Sequence, residues 1–141
     1  MSYGDKKLKA IKNFYMVPNQ LMQLKLKPTE VTIYNYLLYC EDRNTYQCYP
    51  SYKSIAFALG ITKNTVSKYI KSLGEKCLIY TEYTTVTLKN GKKQNGNLMY
   101  TIRPIQDAVD YFHYKQLEYL DENNKRYEAD KLFQKYGDEA S

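Results

Sequence analysis

A mainly α fold with a small β-hairpin is predicted by three observations. Between Ser51 and Gly74 the chain reads as helix, tight turn and second helix; two β-rich runs after Leu78 flank a basic, Asn-Gly-containing segment; and a long polar helical stretch follows Pro104. The expected architecture is a three-helix core plus a hairpin, followed by a C-terminal helical extension. The expected organisation is a basic N-terminal arm (1–13), a folded domain (14–103) and an acidic helical extension (104–141).

The arm carries Lys6, Lys7, Lys9 and Lys12, and Phe14 to Leu26 reads as a connecting segment. Lys27-Pro28-Thr29-Glu30 opens the first helix: Pro suits the first helical position, and Glu the positive end of the helix dipole. Val31, Tyr34, Leu37 and Leu38 form its expected buried stripe, and the loop Glu41–Pro50 leads to Ser51, a plausible cap. In the second helix Ile55, Ala56, Ala58 and Leu59 can share one face. Gly60 then ends it, because Gly tolerates the left-handed backbone that a short helix-to-helix turn demands, and Ile61 can plug the angle between the helices.

Thr62 caps the third helix, expected to run to about Leu73. Val66, Ile70 and Leu73 point inward and Lys63, Asn64, Ser67, Lys68 and Lys71 outward. No acidic residue lies between Ser51 and Gly74. Leu78–Leu88 and Leu98–Arg103 have strand composition. Asn90-Gly91 and Asn95-Gly96 between them favour positive-φ turns, which places Lys89, Lys92 and Lys93 on a basic tip. Pro104 closes the hairpin. From Ile105 to about Tyr136 a helix is expected with an interrupted apolar stripe of Ile105, Val109, Phe112, Leu117, Leu120 and Tyr127, and Asp121–Asn124 is the expected break point if it divides.

Charge is segregated along the chain. The net charge is +6, yet Ser51–Arg103 holds nine cations against two carboxylates, whereas the residues after Pro104 hold five cations against nine carboxylates. Such a field orients a protein on a polyanion. The apolar share of 43% suffices for a core. Without a long apolar stretch or a signal-like start, the expectation is a cytoplasmic chain with no membrane partner. Cys40, Cys48 and Cys77 are odd in number and lack paired spacing, so neither disulfides nor a metal site is expected, and no cofactor.

Catalysis is not expected. His113 is the sole histidine, Arg43, Arg103 and Arg126 are the only arginines, and no Gly-rich phosphate loop with a Lys-Ser or Lys-Thr ending occurs. A tyrosine-dependent nicking or recombining site needs more ligands or more arginines than these.

The segments FYMVPNQL, LKPTEVTIYNYLLYCED, CYPSYKSIAFALGITKNTVSKYIKSLGEKCLI and the Gly-Asn-x-x-Tyr ending Gly96–Tyr100 resemble bacterial winged-helix proteins of the helix-turn-helix type. More narrowly they resemble the DNA-binding domain of replication initiators from plasmids and mobile elements. The resemblance spans roughly Phe14 to Arg103 and implies a winged helix-turn-helix fold. One position departs from it: relatives commonly place Gly where Cys77 stands, whereas this chain has Gly74, which is expected to have taken over the helix stop and shortened the helix.

The site reading combines the face and the tip. Lys63, Asn64, Ser67 and Lys68 are the candidates for base edges of double-stranded DNA; Ser51, Tyr52, Lys53, Thr62, Lys71, Lys89, Lys92 and Lys93 are those for the backbone. Ile105, Val109, Phe112, Leu117 and Leu120 are expected to join two copies into a homodimer, since a lone helix cannot bury such a stripe. The expected role is transcription regulation. The alternatives are a replication initiator or accessory protein of a plasmid, phage or mobile element, with replication or transcription proteins as further partners, and a winged helix that contacts only proteins.

Overall fold

A computed structural model describes residues 14–139, with side chains to Tyr136. The basic arm expected over 1–13 lies outside the described residues. A 3-10 turn (Asn19–Gln23) leads into α1 (Pro28–Cys40), β1 (Gln47–Cys48), α2 (Tyr52–Leu59), α3 (Lys63–Glu75), β2 (Ile79–Thr87), β3 (Lys93–Ile102) and α4 (Ile105–Glu139). The fold is mainly helical: a winged helix-turn-helix with a C-terminal helix.

The core is built from Ile33, Tyr34 and Leu37 of α1, Ile55 and Ala56 of α2, Val66, Ile70 and Leu73 of α3, Leu78 just before β2, and Ile79 and Tyr100 of the sheet. On α1, Val31 is only half-buried and Ile33 takes the deeper place; on α2, Ala58 is exposed and Leu59 half-buried. The segment read as a mere connection contributes Leu21 and Leu24 to the core, because the 3-10 turn winds both inward.

The sheet has three antiparallel strands in the order β1-β3-β2. The strand β1, inside the segment read as a loop, pairs Gln47 with Thr101 and Cys48 with Tyr100. Its two residues are too short to leave a period-two signal. The hairpin differs from expectation at its second Asn-Gly pair: Gly91 has φ +79 and turns the chain, but Asn95 and Gly96 lie within β3. The pairing slips between Tyr83 and Thr85, and a Cβ on Gly96 would run into the side chains of Thr84 and Val86 opposite. Gly96 therefore gives close approach at a bulge rather than a turn.

The helix α4 is unbroken over 35 residues, so Asp121–Asn124 do not divide it. Lys125 bonds back to Asp121 at 3.2 Å across this stretch, an i,i+4 pair that supports helix. Its root packs on its own domain. Ala108 is buried, and Ile105, Val109 and Phe112 are half-buried against the core. These three, expected at a dimer contact, pack in part against the chain's own body; Leu117 and Leu120 are 67% and 56% exposed.

Candidate nucleic-acid interface

Local chemistry fixes α2 and α3 at both ends. The Ser51 hydroxyl accepts from the Ser54 amide at 3.0 Å, and Thr62 Oγ1 from the Thr65 amide at 3.2 Å. Each satisfies a donor that a helix start leaves free. Gly60 takes φ +68, and its amide and that of Ile61 bond to the Ala56 carbonyl, closing the turn. Ile61 packs on the core as expected.

With Val66, Ile70 and Leu73 buried, the opposite side of α3 must face outward. Lys63, Asn64, Lys68 and Lys71 are exposed there. A shallow surface groove follows Asn64, Ser67, Lys68, Lys71 and Ser72 to Glu75, the carboxylate at its far end. The Lys68 ammonium lies 5.3 Å from the Tyr69 ring centroid, a cation–π contact that leaves it at the surface. Ser67 differs from its neighbours in being half-buried.

The Tyr52 hydroxyl has its pKa raised by burial and by nearby Tyr83, opposed by the Ser67 hydrogen bond. Tyr83, 60% exposed on β2, is near enough to act on Tyr52 through its charge. The sequence reading missed Tyr83, since strand alternation could not say which neighbour it meets. Ser51 and Lys53 are exposed at the start of α2. At the hairpin tip, Lys89 and Lys92 flank the Gly91 turn and Lys93 begins β3; all three are exposed. The turn is closed by Leu88 N–H to Lys92 O at 2.8 Å and Lys92 N–H to Asn90 Oδ1 at 3.0 Å.

The C-terminal end of α3 departs from the sequence reading. Gly74 lies inside the helix and has no positive φ; the left-handed residue is Cys77, φ +63. The Cys77 amide bonds to Gly74 O at 3.2 Å and the Leu78 amide to Leu73 O at 3.1 Å, the two bonds of a Schellman ending. Cys77, not Gly74, thus occupies the left-handed position, and the helix is not shortened.

Glu30 is the other unforeseen element. It is fully buried, yet its carboxylate accepts from Lys76 Nζ at 2.8 Å, Ser72 Oγ at 2.7 Å and the Lys27 amide at 3.0 Å. Burial alone would raise its pKa; the Lys76, Ser72 and Lys27 donors outweigh burial and hold it below the usual carboxylate range. The groups that clamp the end of α3 to the start of α1 are therefore ionic. Its helix-start position gave the dipole reading, but only the tertiary fold reveals partners 42 and 46 residues away.

Among the described residues no group of His, Cys, Asp or Glu is placed to hold a metal ion, and no helix is long and apolar enough to cross a membrane. Three solved structures are similar over most of their length. A possible transcriptional regulator from Methanosarcina mazei Go1 is 14% identical, with 84% of this chain and 98% of that chain covered and a TM-score of 0.49. An S. aureus MepR mutant bound to an oligodeoxyribonucleotide is 20% identical, with 90% and 85% covered and a TM-score of 0.46. The adhesin competence repressor AdcR from Streptococcus pyogenes is 19% identical, with 95% and 84% covered and a TM-score of 0.37. No curated protein matches the chain. Residues 24–79 match the family described as "Helix-turn-helix domain", the stretch that holds α1, the turn between α2 and α3, and the whole outward face of α3.

Proposed function

We propose that the chain binds double-stranded DNA sequence-specifically, with α3 in the major groove, and regulates transcription by occupying its site. The observation that carries this reading is the outward face of α3: Lys63, Asn64, Lys68 and Lys71 exposed together, opposite a face held in the core. The match of residues 24–79 to a helix-turn-helix family supports it. Lys63, Asn64, Ser67 and Lys68 read base edges; a good bidentate contact contributes about 1–3 kcal/mol of discrimination. Ser51, Tyr52, Lys53, Thr62, Lys71, Lys89, Lys92 and Lys93 hold the phosphate backbone, which sets register and salt dependence.

A second copy engages through the outer part of α4. Tyr114, Leu117, Tyr119, Leu120 and Tyr127 are all more than half exposed there, an apolar load that a solitary helix does not bury. Two-fold pairing matches paired half-sites on DNA.

Selection of bound fragments from random and then genomic duplexes tests the reading. Asn64→Ala should relax the selected sequence, whereas Lys92→Ala should weaken binding to every duplex and reduce the salt slope by about 1. Equal effects of both variants on specific and random DNA would refute the assigned roles, and no association at low salt would refute DNA binding. Selected sites within promoters fit regulation; clustered repeats at an origin would replace it with replication initiation.

A further inference from the structure

Between the end of α1, the β1–β3 ladder and the root of α4 lies a cleft of about 700 Å³, within the size range of small-molecule sites. Val17, Leu38, Ile102 and Ile105 supply apolar wall, and Tyr34, Glu41, Arg43 and Arg103 supply the polar groups. Both arginines are engaged: Arg43 donates to the Phe14 carbonyl, and Arg103 Nε to Asp107 Oδ2 at 3.2 Å. Glu41 is not. Its Oε2 is buried without a hydrogen-bond partner among the described residues, a costly state for a carboxylate.

Two further features mark the cleft. Tyr46, on its wall, is held at φ +60 by bonds from its amide to Asp42 O at 2.7 Å and from the Ile102 amide to its carbonyl at 3.0 Å. A side-chain-bearing residue rarely adopts that conformation, and such strain clusters at binding sites. Burial pushes the Glu41 carboxyl up despite Arg43, and burial together with Glu41 pushes the neighbouring Tyr34 hydroxyl to about 12.

We propose that this cleft binds a small molecule with an apolar or aromatic body and one amine, whose ammonium pairs with the Glu41 carboxylate as that side chain turns its buried Oε2 into the cleft. A hydrocarbon leaves the orphaned oxygen unpaired. An anion meets the Glu41 carboxylate and leaves Oε2 without a donor, and Arg103 is already paired with Asp107. An ammonium supplies the missing donor and the opposite charge. The occupant touches both the segment before the 3-10 turn and the root of α4, so binding braces the point from which α4 departs. The site stands independently of the DNA reading.

Phenethylamine is a suitable probe, and phenylacetate carries the same ring with the opposite charge. Amide spectra of the isotope-labelled full chain, titrated with each, should show saturable shifts at Tyr34, Glu41, Tyr46 and Ile102 with phenethylamine, with a Kd on the order of 1 mM for so small a ligand. Glu41→Gln should weaken binding about tenfold or more, the loss of one charge-assisted hydrogen bond. Absence of saturable shifts at the cleft, equal binding of phenylacetate, or unchanged affinity in a folded Glu41→Gln variant would overturn the proposal. Should that variant fail to fold, the amine-versus-carboxylate comparison on the natural chain decides alone.

Discussion

The helices α3 and α4 solve opposite problems. Over 13 residues α3 buries Val66, Ile70 and Leu73 and leaves a polar face free; over 35 residues α4 buries only Ala108 and half-buries its first turns. From His113 onward, almost every described α4 side chain is exposed, aromatic and aliphatic ones included. Tertiary packing, rather than local propensity, therefore holds α3. The outer part of α4 relies on its own i,i+3 and i,i+4 pairs, such as Lys115–Glu118 at 3.1 Å, until something covers it.

Matched truncations would break this contrast most directly. Leu73→Ala empties a fully buried site and should cost about 3 kcal/mol, read as a lower denaturant midpoint. Leu120→Ala, 56% exposed, should leave the stability of the isolated subunit within about 0.5 kcal/mol. Removing residues 117–141 should yield a monomer by light scattering with the amide spectrum of the winged domain kept. A dimer that persists after that removal sinks pairing through α4.

A smaller effect concerns the ionic clamp that α3 has and α4 lacks. Lys76→Met takes the cation from the buried Glu30 carboxylate and should cost about 2 kcal/mol at neutral pH, because Ser72, the Lys27 amide and solvent on the half-exposed Lys76 side compensate in part. The folded-state pKa of Glu30 lies below its unfolded value, so its contribution to stability is fully present above the unfolded carboxylate range of about 4.3. It is lost as pH falls through the lower folded value. Denaturation followed from neutral to acid pH should therefore show a steeper loss in the natural chain than in Glu30→Gln. Parallel curves would remove Glu30 as an acid-sensitive clamp.

What could be read from the chain follows the same division. The cap–turn–cap series Ser51, Gly60 and Thr62 and the inward triplet of α3 were legible because each rests on neighbours within a few residues, and the structure repeats them. The partners of Glu30, the two-residue strand at Gln47–Cys48 and the wrapping of Leu21 and Leu24 onto the core depend on residues distant in sequence. Gly96 shows the limit of a local signal: Asn-Gly favours a turn, but pairing with β2 outweighs it and uses the absent Cβ at a bulge. On α4 the apolar stripe was visible as one feature, though its first part belongs to the body and its last part to solvent or a partner. The step from Phe112 to Leu117 marks the boundary as a break in the spacing, but spacing alone does not say that the body covers one side of it and leaves the other exposed.

The finest test lies where α3 ends, at the residue pair the sequence reading exchanged. If Gly74 were the left-handed stop, a side chain there would be strained; in the structure it has helical backbone and open space within 4 Å of an added Cβ. Gly74→Ala should then stabilise by about 0.5–1 kcal/mol, the helix-propensity difference. Cys77 bears the left-handed φ of +63 instead. Cys77→Gly relieves a cost of about 1–2 kcal/mol but frees the unfolded backbone, so a net gain of about 0.5–1 kcal/mol is expected. Cys77→Val, β-branched at the same φ, should move the denaturant midpoint the other way. Destabilisation by Gly74→Ala together with no gain from Cys77→Gly would return the stop to Gly74. It would also shorten the helix proposed to lie in the groove, at the end that carries Lys71 and Glu75.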